Sequence, residues 1–203
     1  GQNIIIDSTK AILDENSNEQ IKFATTGSAV NEFSVTNAAT SNAPALSVTG
    51  GDSNIDMTLT PKGTGRVTIN GGGKIQQIAE KVTIAATGTT GTVNYDVITQ
   101  SVLYHTTNAA GNFTVNIRGD GSTTLNNIMD TGESITVAFL VTQGSTPYYN
   151  SAVTIDGSSV TPEWSGGAAP SAGNASSVDI YTYTVIKTGD AAFTAFAAQT
   201  QFA

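Results

Sequence analysis

The sequence predicts an all-β protein in two parts: an intertwined shaft of short strands over residues 1–78, then an antiparallel, jelly-roll-like β-sandwich over residues 79–203. Three observations carry this reading. Over residues 31–70 apolar and polar residues alternate in four short runs (Phe33 and Val35; Leu46 and Val48; Ile55, Met57 and Leu59; Val67 and Ile69). Gly, Asn, Pro and Ser separate them, and period-two alternation between turn residues marks short, half-buried strands. Twelve of the fourteen aromatic residues lie beyond residue 80, where the alternating runs also lengthen. Helical spacing is confined to 124–131, TLNNIMDT, where Leu125, Ile128 and Met129 share a face and Gly132 supplies a stop.

In chain order, short strands are expected at 4–7, 11–14 and 20–23, then at the four runs above, then at 74–78, where a last strand and a short helical turn over 74–81 fit equally. They recur about every 8 to 13 residues with turns between. Phe23 and Phe33 are the only aromatic residues in this part. A monomeric sandwich needs larger side chains to fill a core, whereas three chains around one axis bury small β-branched residues in thin layers. The expectation is therefore a homotrimer, with a small monomeric sandwich as the alternative. Gly71–Gly73 marks the change of character, and the domain boundary is placed between 70 and 80. Beyond it, strands are expected at 81–87, 92–106 (broken by a bulge or turn), 113–118, 134–143, 152–156, 178–187 and 192–202.

Composition narrows the function. Charged residues make up only 12% of the chain, and Gly alone contributes 21 residues, a balance typical of extracellular or virion β proteins. The net charge is −8 and the eight basic residues are scattered, so no cluster is available to neutralise phosphates and nucleic-acid binding is not expected. Without cysteine there is no disulfide, thiolate metal site or thiol nucleophile. No apolar run approaches the roughly 20 residues of a membrane span. A start at Gly1 fits a piece of something longer.

The stretch NEFSVTNAATSNAPALSVTGGDSNIDMTLTPKGTGRVTIN (31–70) resembles the repeats that precede the C-terminal domain in fibre-like virion proteins of marine T4-like phages, including cyanophages. WSGGAAPSAGN (164–174), VDIYTYTVIKTGDAAF (178–193) and the closing AAQTQFA resemble the C-terminal domain of the same proteins. The section 80–149 is the least distinctive. The resemblance implies a tail fibre or related appendage of the virion, in contact with other virion proteins and with a host surface glycan or protein. A capsid or neck fibre or decoration protein without a receptor is the alternative, and a polysaccharide-cleaving tailspike a third.

No motif supports catalysis, a metal or a cofactor. Asp52, Asn54 and Asp56 have the opening spacing of a calcium loop, but Met57 stands where Gly is required and Gly63 where Glu is. Residues 61–65, PKGTG, lack phosphate-loop spacing and read as a tight turn between strands. His105 has Ser101 and Thr106 near in sequence, without a nucleophile elbow. Among Asp96, Asp120, Asp130, Glu133, Asp156, Glu163, Asp179 and Asp190, most sit in glycine-rich turns, where aspartate serves turn geometry. For surface or glycan binding the candidates are Trp164, in PEWSGG, with Tyr148 and Tyr149 on a loop expected nearby, since an exposed tryptophan stacks on sugar rings. The place of WSGG within the resemblance weighs towards packing instead.

Overall fold

The computed structural model describes residue 5 and residues 10–202. The chain divides into two compact units, with the division between Val67 and Thr68. The strand expected at 4–7 lies, apart from Ile5, outside the described residues.

Among the described residues the first unit contains two hairpins. In one, β1 (Ala11–Leu13) pairs with β2 (Glu19–Lys22). Its turn is organised by Asp14, whose carboxylate accepts from the Asn16 and Asn18 amides at 2.9 and 2.8 Å. In the other, β3 (Asn31–Thr36) pairs with β4 (Ala45–Gly50), setting Phe33 opposite Val48 and Val35 opposite Leu46. The alternate residues form a polar face where Thr49 Oγ1 donates to Glu32 Oε1 at 2.7 Å. The apolar face remains open: Phe33 is 58% exposed, Val35 84% and Leu46 54%. An isolated two-stranded hairpin is marginal in water at best.

The strands expected at 55–59, 67–69 and 74–78 are corrected: these runs belong to no strand. A strand needs a ladder partner, and the alternation of one segment cannot supply it. Met57, Leu59, Val67, Ile69, Ile75 and Ile78 are accordingly exposed. The turn at 61–65 is present, with the Gly65 amide donating to the Lys62 carbonyl at 3.1 Å, but it does not join two strands.

In the second unit the strands alternate between two sheets. β5 (Val82–Gly88), β7 (Val102–Thr107) and β9 (Ser134–Thr142) lie parallel in one; β6 (Gly91–Asp96), β8 (Phe113–Arg118) and β10 (Asn150–Ile155) lie parallel in the other. Parallel neighbours need a crossover of about a dozen residues or more, usually a helix. Here each crossover is itself a strand of the facing sheet, so the chain coils around one core. Antiparallel pairing enters only afterwards. β11 (Ser158–Val160) folds back on β10, and β13 (Val178–Gly189) lies between β9 and β14 (Ala192–Phe202). A two-residue strand, β12 (Glu163–Trp164), lies parallel at the β14 edge. The antiparallel, jelly-roll-like arrangement expected from the sequence is thus corrected to mixed sheets of six and four strands. The expected break in 92–106 is the passage from β6 to β7, from one sheet to the other.

Both sheets contribute to a single core. Val93, Val115 and Val153 form one row across the smaller sheet, and Tyr95, Ile117 and Ile155 the next. From the larger sheet come Leu103, Val137, Phe139, Val141, Tyr181, Tyr183 and Val185. Phe113 meets Phe139 and Tyr181 edge to face, with ring centroids 5.7 and 5.6 Å apart. Tyr95 crosses the core: its hydroxyl donates to the Ser101 carbonyl and, at 3.3 Å, to that of Ala138.

Among the described residues the one α-helix, α1 (Leu125–Ile128), lies within the predicted 124–131 but is shorter. Thr124 caps its start, and Asp156 of the β10–β11 turn accepts from the Leu125 and Asn126 amides at 2.6 and 3.0 Å. Buried Lys187 donates to the carbonyls of Asn126 and Met129 at 2.6 and 2.8 Å, tying the helix to β13.

The outward faces of the two sheets differ. On the smaller sheet Asn116 Nδ2 donates to Asn94 Oδ1 at 2.8 Å, Thr154 Oγ1 donates to Asn116 Oδ1 at 2.8 Å, and Arg118 meets Asp96 at 2.6 Å. Asn116→Ala also removes the acceptor of the Gly157 amide. It is expected to cost about 1–3 kcal/mol in chemical denaturation, and an unchanged midpoint would show that the ladder adds nothing. On the larger sheet one outward row reads Ile84, Tyr104, Leu140, Ile180, Thr200, and the next Val82, Val102, Ala138, Thr182, Ala198.

Candidate surface-contact site

Trp164 owes its position to three local features. Buried Pro162 precedes it, the two-residue β12 sets Glu163 opposite Phe196 and Trp164 opposite Ala197, and a 3-10 turn at Ser165–Gly167 follows. That turn has Gly166 at φ 82° and Gly167 at φ 80°, a region that favours glycine. Period two sends adjacent side chains to opposite faces, so Glu163 lies outward with Phe196 while Trp164 turns in. The indole packs half-buried against the core, edge-on to Tyr183 with centroids 6.3 Å apart.

Two open clefts flank it. One, of about 360 Å³, is lined by Glu163, Trp164, Thr182, Thr184, Phe196 and Ala198. The other, of about 280 Å³, is lined by Trp164 with Asn150, Val153, Val160, Pro162 and Ala169. Neither tyrosine of the sequence-based trio lines either cleft. Tyr148 is bound through its backbone to Gln143 and its ring packs on the core. The Tyr149 amide donates to Asn112 Oδ1 at 3.2 Å. Glu163, Thr182 and Phe196 are the neighbours that sequence reasoning missed. The β12–β14 pairing that brings them together has only two residues and no periodic signal.

The loop after Trp164 is anchored from below. Asp179 is fully buried on the inward face of β13, and its carboxylate accepts from Gln143 Nε2 at 2.9 Å, the Asn174 amide at 3.1 Å and Gln199 Nε2 at 3.4 Å. Gln199 also donates to the Ala172 carbonyl at 3.0 Å. A Cβ at Gly173 would stand 2.8 Å from Asp179 Oδ2, so only glycine fits that approach. Burial raises the Asp179 carboxyl above the usual carboxylate range, and the hydrogen bonds from Asn174, Gln143 and Gln199 oppose the shift.

The folded chain therefore retains this proton where the unfolded chain has released it. Asp179's contribution to stability is fully present below the unfolded carboxyl's range and is lost as pH rises through the folded value. Asp179→Asn removes the titration, so the variant is expected to gain on the parent as pH rises from about 3 to 7. Parallel curves of thermal midpoint against pH would contradict this.

The other acidic candidates do structural work. Asp120 accepts from the Ser122 and Thr123 amides, Asp156 caps α1, and Asp190 accepts from Asn126 Nδ2 at 3.0 Å. In the first unit Asp52 accepts from Asn31 Nδ2 at 2.8 Å, closing the β3–β4 hairpin. His105 lies on the inward side of β7, edge-on to Phe139, with Nδ1 2.9 Å from the Thr87 carbonyl. Among the described residues no group of three or more His, Asp or Glu side chains is placed to hold a metal ion, and no helix is long and apolar enough to cross a membrane. Comparison with protein families, with curated proteins and with solved structures returns no match to this chain.

Proposed function

We propose that the chain is part of a homotrimeric fibre of a phage virion, in which residues 1–78 form the shaft and the two sheets of 82–202, packed as a sandwich, form a head that contacts the host surface. The observation that carries this reading is the open apolar face of the β3–β4 hairpin. Phe33, Val35 and Leu46 are aligned by cross-strand pairing yet stay 58%, 84% and 54% exposed among the described residues. Copies of the same hairpin around one axis would bury these side chains, each contributing on the order of 1.5–3 kcal/mol when fully removed from water. The resemblance of 31–70, 164–174, 178–193 and the closing AAQTQFA to fibre-like virion proteins of marine T4-like phages points the same way. Three heads on one shaft would multiply a weak surface contact through avidity.

Light scattering on the size-separated full chain tests the assembly. A mass of three times 20.8 kDa that survives dilution is the expected result; a monomer overturns the shared-core argument. Selective binding of the trimer to host cells then tests attachment. A trimer that binds none of the cells would move the reading to a capsid or neck decoration protein.

A further inference from the structure

We propose that the outward face of the six-stranded sheet is the surface through which copies of this chain touch one another in the head. This rests on the assembly reading above and names the surface it would use. The outward positions of β5, β7, β9, β13 and β14 hold threonine, serine, small and apolar residues, and none of them is acidic or basic; the sixth strand, β12, places one carboxylate, Glu163, at the edge of the face beside Phe196. Ile84 is 69% and Phe196 46% exposed. The face of the smaller sheet spends its polar groups on one another, through the Asn94–Asn116–Thr154 ladder and the Asp96–Arg118 pair.

Charge selects the occupant. Each copy carries a net charge of −8, so two copies repel wherever their acidic surfaces approach. The five uncharged strands let a copy lie against its like without burying an unpaired carboxylate, which would be costly, and Glu163 falls on the edge strand at the rim of the contact. Size fits as well. With strands about 4.8 Å apart and about 6.6 Å between successive outward residues, the face spans roughly 600 Å². That approaches the roughly 800 Å² each partner contributes to a stable interface.

The absence of cysteine allows a direct test in the full chain. Thr182, at the centre of the face, and Thr92, on the outward side of β6 in the other sheet, are both exposed in the single chain. Thr182→Cys and Thr92→Cys are made separately, their mass is checked by light scattering, and the rate of maleimide labelling is measured. In the assembled protein the thiol at 182 is expected to label at least about tenfold more slowly than the one at 92. Equal rates in an intact assembly would overturn this surface while leaving the assembly reading in place. A monomer, whatever its labelling, would overturn both. Thr182→Glu in the full chain is expected to lower the mass or make it fall on dilution, and unchanged mass would count against the proposal.

Discussion

Phe139→Ala is expected to destabilise the second unit by about 3–5 kcal/mol, the usual cost of removing a large aromatic side chain from a core. The magnitude follows from its neighbours. Phe139 is fully buried, pairs across the sheet with Leu103 and Tyr181, and meets the rings of Phe113 and His105 edge-on at 5.7 and 5.5 Å. It thus links parallel β7, antiparallel β13 and, across the core, β8. Its loss opens a cavity where three strands of one sheet meet the other. Since typical domains have only about 5–15 kcal/mol of stability, the variant should melt far below the parent in calorimetry. A drop under about 1 kcal/mol would show that the coil tolerates a hole at its centre.

The second large effect concerns assembly. Leu46 is 54% exposed in the single chain, and changing so exposed a residue normally alters stability by no more than about 0.5 kcal/mol. Leu46→Asp is nevertheless expected to dissociate the protein, because in the proposed shaft it buries one carboxylate per copy at the common axis. The expected mass falls from three times 20.8 kDa to 20.8 kDa. Ser47→Asp, which adds the same charge to the other face of the hairpin, should leave the mass unchanged. Equal behaviour of the two variants would separate the hairpin's apolar face from assembly.

The same hairpin shows how far local pattern reaches. Alternation in NEFSVT and ALSVTG was enough to place β3 and β4, because a period of two is a property of the strand itself. It also separated their apolar faces from their polar ones. The identical signal at 55–59 and 67–69 produced no strand, since pairing needs a neighbour as well as a pattern. For the site, Trp164 was legible as an aromatic residue beside a glycine turn. Its separation from Tyr148 and Tyr149 was not, because distance between loops depends on how the strands between them are laid.

By itself, then, the sequence determined the β class, the order of the longer strands, the short helix behind Thr124, the Asp156-Gly157 turn and the aromatic-rich second unit. Each is written in periodicity, capping or turn chemistry within a few residues. Tertiary structure decided which strands became neighbours and in which direction. That choice made β5 to β10 a parallel two-sheet coil, drew Asp179 into a buried latch under the 168–177 loop, and left one outward face polar and the other uncharged except for Glu163 at its edge. Direction and partnership are set by residues far apart in the chain meeting in a shared core, and no local pattern records that meeting.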